Sequence, residues 1–341
     1  MKTGTGSTRG TRSTRATGPA RVTRRHSTGA ALLIAMLIAA IVTSIVAGLL
    51  WQQQLWLRQY DFQRDQAQAH SLARSGISWA RLILFEDART SAIDHFGEQW
   101  AIRLPLTPLE NGEIGGAIAD QQGLFNVNAL VKGGTLQPDV LARYTRLLVL
   151  LGLPPALGPA LADWLDVNDE PTPGGGVEDA HYVALTPARV AANRPLATID
   201  ELGLVAGYTQ EAIARLRPFV TALPATASGA NAGAGSAAGA VNINTAPPEV
   251  LAATIDGLGL DDANKVVASR ASRVFSSTGE FRARLASIAS GIAVNESAVR
   301  VTSDAFVVRV DVRQGEVRTT AYALLVREPN AWPRIVWQML E

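Results

Sequence analysis

The chain has 341 residues, a formal net charge of +1 and no cysteine. The lack of cysteine excludes a disulfide framework, a thiol nucleophile and thiolate metal sites. The small net charge gives no overall attraction to polyanions, and the basic excess lies near the N-terminus, which speaks against nucleic acid as a partner. At roughly 150 residues per domain, the length predicts two lobes besides the N-terminal segment.

The N-terminal segment predicts a membrane anchor. Residues 1–29 carry seven basic and no acidic residues, and residues 30–51 carry no charge. A helix of that length spans about 30 Å, the thickness of a bilayer core. Because basic flanks stay in the cytoplasm, the C-terminal part is expected on the other side of the membrane. A cleaved secretory signal is the alternative, but the apolar run is long for one and no A-x-A cleavage site follows it.

The helix is predicted to continue beyond the membrane-spanning segment. Residues 52–89 contain no proline and a single glycine. Apolar or small residues recur there at spacings of three, four and seven, which is typical of one buried stripe on a helix. The stripe comprises Phe62, Ala69, Ala73, Ile77, Ala80 and Leu84.

Strands are predicted after this helix and at the end of the chain. Asn111 and Gly112 lie between two of the first strand-like runs and are typical of a hairpin turn. Near the end, residues 308–313 alternate between apolar and polar side chains, and a turn at Gly315 sends the chain back. The predicted strands are residues 100–104, 116–120, 124–128, 305–313, 317–327 and, at an edge, 335–340.

The middle of the chain is predicted to be helical. Thr198 and Glu201 have the spacing of a capping box. Residues 225–240 consist almost only of alanine, glycine, serine and asparagine, which predicts a flexible insert because they cannot bury enough apolar area. The predicted helices are residues 139–151, 159–164 and 248–255.

Two segments indicate an internal duplication. Residues 126–129 and 242–245 share an asparagine-apolar-asparagine pattern that precedes a helix. In both cases the helix is followed by glycine between leucines, at Gly152 and at Gly259. A repeated order of such features is the signature of a duplicated structural unit.

An acidic segment is the candidate binding site. Its alternating oxygen groups, followed by carboxylates after a glycine turn, suit a hard cation that takes six to eight oxygen ligands. His181 stands alone, so no zinc pattern is present. The alternative is a solvated acidic loop with Asp163 and Asp200 as helix caps, and the residues alone leave both interpretations open. The segment contains Asp163, Asp166, Asn168, Asp169, Glu170, Glu178 and Asp179.

A second functional hypothesis is a membrane-anchored DNA receptor for DNA uptake. Residues 242–285 look like a helix-hairpin-helix module, which binds phosphate through hairpin amides and nearby lysines. The hairpin around Leu258 is flanked by acidic residues, and only Lys265 follows closely, so the local charge repels phosphate. The flanking acids are Asp256, Asp261 and Asp262.

An enzyme is not predicted. His70, His95 and His181 lie far apart and have no suggestive spacing to serine or carboxylate residues. Neither a Gly-x-Gly-x-x-Gly motif nor a P-loop is present.

The N-terminal segment resembles the leader of type IV pilins and of the pseudopilins of type II secretion. In that family a prepilin peptidase cuts after a glycine that ends a basic leader. The resemblance places the cut after Gly29 and makes Ala30 the first mature, methylated residue. The fifth mature residue is normally glutamate, which is thought to pair with the terminal amine of a neighbouring subunit. Ile34 stands there instead, which fits a subunit at the tip of the assembly.

The remaining motifs resemble, as an ordered set, the K-type minor pseudopilins of type II secretion, the general secretion pathway protein K family. This resemblance spans roughly residues 29–341. The segments that carry it are residues 126–130, 163–171, 176–182, 194–196, 200–202 and 242–247.

The resemblance implies an α+β fold, in which a pilin-like long N-terminal helix packs on an antiparallel sheet that carries a large inserted helical domain. It implies a calcium site at Asp166, Asn168, Glu178 and Asp179. The expected organisation is a cytoplasmic leader (1–29), a transmembrane helix (30–51), the long helix and first strands (52–128), the helical domain (129–296, with 225–240 flexible) and C-terminal strands (297–341).

The implied function is assembly of the pseudopilus tip, which supports export of folded proteins across the outer membrane. The implied partners are the I- and J-type minor pseudopilins, the H type, prepilin peptidase and the inner membrane, with no nucleic acid. The chain is expected to cross the inner membrane once, with its C-terminal domain in the periplasm.

Overall fold

The computed structural model describes residues 28–110, 112–224, 239–328 and 331–341. By its internal contacts the chain divides into two units, Met1–Tyr60 and Asp61–Glu341. Three predicted features fall partly outside the described residues. They are the leader up to residue 27, Asn111 of the hairpin turn, and residues 225–238 of the flexible insert.

Helix α1 spans Thr28–Thr90, as the proline-free pattern predicts. In the first unit, every side chain from Ala30 to Tyr60 is exposed. By length and composition, α1 contains a segment that could cross a membrane. An apolar helix with no protein around it is what a bilayer-spanning segment requires.

The remaining described residues form shorter helices and strands. The helices are α2 (Pro138–Leu150), α3 (Leu157–Leu165), α4 (Asp179–Val183), α5 (Gln210–Leu216), α6 (Pro248–Thr254), α7 (Leu260–Ser272) and α8 (Thr278–Ile288). The strands are β1 (Leu104–Leu109), β2 (Gly112–Asp120), β3 (Phe125–Asn126), β4 (Val131–Lys132), β5 (Thr135–Leu136), β6 (Val220–Thr221), β7 (Val241–Asn242), β8 (Val299–Arg300), β9 (Ala305–Gln314), β10 (Val317–Glu328) and β11 (Ala331–Leu340).

Five strands form an antiparallel sheet in the order β1-β2-β9-β10-β11. Strands β2 and β9 are neighbours from Glu113, opposite Arg313, to Asp120, opposite Phe306. The long segment between them therefore leaves the sheet and returns to the adjacent position. It forms the helical lobe, so the predicted pilin-like sheet with an inserted helical domain is confirmed.

The sheet is covered by the second part of α1. Five of the six predicted stripe residues are buried, and they pack against Phe306, Val308 and Val310 of β9. Phe62 is the exception, with 51% of its surface exposed. Phe62 lies before Ala69, the first residue of α1 in the core beneath the sheet. The apolar spacing along α1 therefore extends beyond the part of the helix that the sheet covers. The buried stripe residues are Ala69, Ala73, Ile77, Ala80 and Leu84.

The predicted strand at residues 100–104 is wrong. Residues Gln99–Ala101 form a turn of 3-10 helix, and β1 begins only at Leu104. The indole of Trp100 is buried and meets the ring of Phe306 edge-on, at 5.2 Å between centroids. Pro105 and Pro108 lie inside β1. An edge strand tolerates proline because its missing N–H can face away from the sheet.

The helical lobe contains the predicted duplication. In the first repeat (residues 125–221), β3 pairs in parallel with β6, and in the second repeat (residues 241–300), β7 pairs in parallel with β8. Each repeat thus begins and ends at a short parallel strand pair. Strands β3 and β8 therefore belong to the helical lobe, whereas the sequence assigned their residues to the pilin-like part.

The same side-chain clamp fixes each repeat. The amide of Asn128 donates to the carbonyl of Leu196 at 2.9 Å and accepts from its N–H at 2.8 Å. Asn244 binds Phe275 in the same way, at 2.9 and 2.8 Å. Both asparagines are buried. The second asparagine of each motif therefore satisfies both backbone groups of a distant residue, which a buried segment requires.

The residues after each clamped position also correspond. Glu201 accepts from the N–H of Ala197 at 3.0 Å, and Glu280 accepts from the N–H of Ser276 at the same distance. The predicted capping box is thus only partly correct. Glu201 binds the residue before Thr198, and the Thr198 side chain makes no capping hydrogen bond.

The turn after the first helix of each repeat uses a glycine with positive φ. These are Gly152, with φ of 67°, and Gly257, with φ of 79°. Glycine adopts this conformation without steric cost and commonly ends helices in this way. The sequence matched Gly152 with Gly259 instead. Gly259 has φ of −73° and precedes α7, so it is not the equivalent residue.

A buried polar network joins the second repeat to the sheet. The side-chain amide of Asn242 donates to the carbonyl of Asp94 at 3.1 Å and to the hydroxyl of Ser303 at 2.9 Å. The guanidinium of Arg327, on β10, pairs with Asp87 of α1 and with Asp94. Arg327 therefore connects the end of α1 with the segment that holds the second repeat.

Replacing Arg327 by methionine should destabilise the protein strongly. The change leaves Asp87 and Asp94 without their cation in a buried position, which costs about 3–5 kcal/mol of unfolding free energy. Urea denaturation of the full chain in detergent measures this loss. The control is Arg313→Met, which removes an exposed pair with Glu113 and should cost less than about 1 kcal/mol. Equal losses in the two variants would contradict the role of Arg327.

Candidate cation site

The acidic segment lies in the first repeat, between α3 and α4. Asp166 is the residue that ends α3, and Glu178 is the residue that precedes α4. Between them the chain turns at Gly174 and Gly175, whose φ values are 97° and 129°. These glycines permit a reversal of the chain after α3, and the charge of Asp166 acts on the carboxylate of Glu178.

Asp163 organises this turn from within α3. Its side chain is fully buried, and its two carboxylate oxygens accept from the N–H of Thr172, each at 3.1 Å. A Cβ atom on Gly176 would meet the same carboxylate, so glycine is required there. Asp163 lies inside α3 and is not a helix cap, and Asp200 forms an ion pair with Arg217. The interpretation of these two residues as caps is therefore wrong.

Asp166 and Glu178 carry the main evidence for a ligand. Only 1% and 7% of their surfaces are exposed. One oxygen of Asp166, Oδ1, and both oxygens of Glu178 are buried and accept no hydrogen bond from the described residues. Burying such oxygens without a partner is costly, so native proteins rarely leave them unsatisfied. A cation between the carboxylates would supply the missing partner.

The electrostatics agree with this interpretation. Burial first, and then the neighbouring carboxylates of Asp163 and Asp166, raise the pKa of Glu178 to about 7. Burial raises the pKa of Asp166 to about 6, with Asp163 as the next contribution. Like charges held together favour protons or a cation. A bound calcium ion would displace those protons because its ligands must be ionised.

The other two predicted ligands are oriented differently. Asn168 is exposed; its amide nitrogen donates to Asp166 at 2.7 Å, and its oxygen accepts from the N–H of Glu170 at 2.8 Å. Asp179 accepts from the N–H of Ala191 at 2.7 Å through one oxygen, Oδ1. The charge of Asp163, which was not among the four predicted ligands, acts on both Asp166 and Glu178. The signal for Asp163 was an acid within an otherwise apolar helix.

The residues present therefore fit calcium. The carboxylates of Asp163, Asp166, Glu178 and Asp179 would supply hard oxygen ligands, as calcium prefers. The chemistry that such an ion supplies here is charge neutralisation of buried carboxylates.

A second acidic group is already neutralised by the protein itself. Carboxylate oxygens of Asp87, Asp94 and Glu98 lie within 4.8 Å of one another. Arg327 pairs with the first two, and Glu98 accepts from the indole N–H of Trp100 at 2.7 Å. A guanidinium therefore occupies the role that a metal ion would have in this cluster.

The hairpin of the second repeat does not offer cations to DNA. The ammonium of Lys265 pairs with Asp262 at 2.7 Å. Arg270 donates to the carbonyl of Ile243 at 2.7 Å, and burial lowers its pKa to about 10. Lys265 and Arg270 are thus engaged within the protein, and Asp256 and Asp261 add negative charge.

Comparisons with known proteins decide the family. Two family models, both described as "Type II secretion system (T2SS), protein K", match residues 123–225 and 241–302, which correspond to the two repeats. A Type II secretion system protein K of Pseudomonas aeruginosa is 35% identical over 280 residues, covering 78% of this chain and 79% of the relative. The chain belongs to the type II secretion system protein K family. A relative of the same name in Aeromonas hydrophila is 29% identical over 321 residues, covering 89% of this chain and 94% of the relative.

A solved structure extends this result to the fold. The chain is similar to one in the crystal structure of the GspK-GspI-GspJ complex from the type 2 secretion system of enterotoxigenic Escherichia coli. The TM-score is 0.70 at 25% identity, and the match covers 83% of this chain and 99% of that one. The predicted family and the role of a minor pseudopilin in type II secretion are confirmed, and the comparisons give the DNA-uptake alternative no support.

Replacing Glu178 by glutamine should have opposite effects with and without calcium. With EGTA, the variant should melt at the same or a higher temperature than the unmodified chain, because it removes one of several like charges. With calcium, it should melt at a lower temperature because it lacks a ligand, and ligands of the folded state raise its stability. Thermal melting of the full chain in detergent measures both effects.

The matched control is Glu170→Gln, which removes an exposed acid from the same loop. It should leave the calcium-dependent rise in melting temperature unchanged. If calcium raises the melting temperature of neither the unmodified chain nor the Glu170→Gln variant, the site is contradicted.

Proposed function

We propose that this minor pseudopilin occupies the tip of the pseudopilus in a complex with the I- and J-type minor pseudopilins, and with the H type below them. There it initiates pseudopilus assembly and supports export of folded proteins across the outer membrane. The observation that carries the proposal is the match to GspK over nearly the full length of a chain solved together with GspI and GspJ. The role is one of assembly, and no enzymatic step is assigned to the chain.

The sequence of the membrane segment supports a tip position. Ile34 stands where type IV pilins and pseudopilins normally have a glutamate, and an unpaired carboxylate in hydrocarbon is costly. A subunit that has no neighbour above it gains nothing from a glutamate that pairs with such a neighbour. An apolar residue at this position keeps the helix stable in the bilayer while the subunit waits for its partners.

The N-terminal segment supports processing and anchoring at the inner membrane. Cleavage by prepilin peptidase after Gly29 would make Ala30 the first residue of the mature chain, where the family carries N-methylation. The basic residues before the cut hold that end in the cytoplasm. The lobe formed by residues after Asp61 would then lie in the periplasm.

In the proposed assembly, the helical lobe carries a bound calcium ion. The ion would bind the buried carboxylates of Asp166 and Glu178, with Asp163 and Asp179 beside them. These residues belong to the first repeat, so the ion would stabilise one half of the helical lobe.

The tip proposal predicts a ternary complex. Full-length chain co-expressed with the I- and J-type pseudopilins should purify in detergent as a complex containing one copy of each. Light scattering after size-exclusion chromatography gives the mass. A major pseudopilin from the same system serves as the control and should not replace either partner. Recovery of this chain as a monomer in the presence of both partners would contradict the proposal.

Processing is tested by the N-terminal sequence of the membrane-bound protein. The unmodified chain should begin at Ala30, whereas Gly29→Val should keep its leader because the residue before the cut is no longer glycine. The matched control, Thr28→Val, should be cut normally. A mature chain that starts beyond Trp51 would indicate a secretory signal and would overturn the anchor.

A further inference from the structure

The two repeats differ in length at one place. In both, the same number of residues separates the clamped residue from the closing strand, from Leu196 to Val220 and from Phe275 to Val299. Before the clamp they differ, because the first repeat has a much longer segment between its hairpin glycine, Gly152, and the clamped Leu196. The second repeat passes from α7 to its clamp almost directly.

The extra segment contains the proposed cation site. In the second repeat, α7 ends at Ser272, and Arg273 follows, two residues before the clamped position. The equivalent residue in the first repeat is Arg194, which pairs with Glu201 as Arg273 pairs with Glu280, each at 3.4 Å. Residues 166–193 therefore form an insertion between α3 and Arg194. We refer to these residues as the insertion.

The first repeat is held together by contacts outside the insertion. The clamp between Asn128 and Leu196 is one of them, and the pairing of β3 with β6 is another. The hydroxyl of Tyr208 lies 2.9 Å from that of Tyr144 and donates to the carbonyl of Leu157 at 2.9 Å. All of these groups are buried, so the repeat has its own core and polar contacts.

Most residues of the insertion are exposed or half-buried. Its Thr172 donates to Asp163, and the N–H of Asn193 donates to the carbonyl of Trp164 at 3.0 Å. Its buried aromatic residue is Tyr182, whose ring meets Trp164 at 5.0 Å and whose hydroxyl accepts from the N–H of Ala206 at 3.1 Å. The insertion also contains destabilising groups: Oδ1 of Asp166 and both carboxylate oxygens of Glu178 are buried and accept no hydrogen bond from the described residues. A segment with few buried contacts and uncompensated charge is among the first to open locally.

We propose that the cation is a local lock: it holds the insertion closed on α3, while the rest of both repeats keeps its structure without the ion. The inference rests on the cation site proposed above and adds which part of the lobe depends on it. A ligand that binds only the closed form of a segment suppresses the opening of that segment. Because the clamp and the strand pair lie outside the insertion, their opening does not require release of the ion.

Hydrogen exchange followed by mass spectrometry tests the lock on the full chain in detergent. At a calcium concentration about 100 times the dissociation constant, amides of the insertion should exchange about 100-fold more slowly than in EGTA. Amides of α2, α6 and α7 that exchange by local opening should exchange at the same rate in both conditions, because that opening does not release the ion. An equal calcium effect on locally opening amides of both repeats, or one that spares the insertion, would overturn the local lock.

A double variant separates the ion from the fold. In Asp166→Asn with Glu178→Gln, exchange of the insertion should no longer respond to calcium, and α2 and α6 should be unchanged. Glu170→Gln should respond as the unmodified chain does. A double variant that still shows the calcium effect would also overturn the lock at these residues.

Calorimetric titration of calcium distinguishes failure of the lock from failure of the site. If calcium produces no binding heat and no change in exchange, the cation site itself is wrong and the lock falls with it. If calcium binds and the exchange effect is global, the site stands and only the lock is wrong.

Discussion

The pairing of β2 with β9 is the constraint on which the rest of the structure depends. These neighbouring strands lie far apart in sequence, so their hydrogen bonds form only if the helical lobe returns the chain within one strand spacing. Closing a flexible loop has an entropic cost that grows only slowly with its length, and contacts within the loop offset that cost. The two repeats supply those contacts, and the lobe can therefore be large without disrupting the sheet.

The place where the helical lobe rejoins the sheet is fixed by polar groups and not by apolar packing alone. Asp120 ends β2, and its carboxylate accepts from the hydroxyls of Thr245 and Ser303, so one buried oxygen connects the sheet to the second repeat. Burial raises the pKa of Asp120, whereas these hydrogen bonds oppose the rise. A satisfied buried network of this kind specifies one arrangement because any other would leave its members unpaired.

Much of this architecture could be predicted from the sequence because it depends on periodicity and on turn residues. The helical spacing from Ala69 to Leu84 and the alternation in β9 each report one buried face, and both predictions are confirmed. The error at Phe62 arose because periodicity reports which face is apolar and not how far the covering sheet extends. Trp100 was placed in a strand because its neighbours are apolar, whereas its burial against Phe306 decides the local conformation.

The site was predicted less completely because ligand geometry depends on distant contacts. Asn168 has the right chemistry and spacing, but its oxygen binds the N–H of Glu170, a local turn that the sequence permits without requiring. Asp163 was counted in the acidic segment but not among the four ligands, and the alternative interpretation made it a helix cap, a role in which aspartate is common. Only the reversal at Gly174 and Gly175, which returns the chain over α3, gives Asp163 its position in the site.

The duplication gives a physical reason why an acidic insertion could be accommodated at this place. The clamp by Asn128 satisfies both backbone groups of Leu196 and so fixes the repeat at the point where the chain re-enters it. A segment that begins at the end of α3 and ends just before that clamp changes neither the strand pair nor the core that it encloses. Apolar side chains in such a segment would stabilise it permanently, whereas buried carboxylates make its closure depend on an ion. Under the proposed lock, the arrangement of Asp166 and Glu178 would make order in this part of the lobe conditional on the ion, while the sheet and the second repeat would remain independent of it.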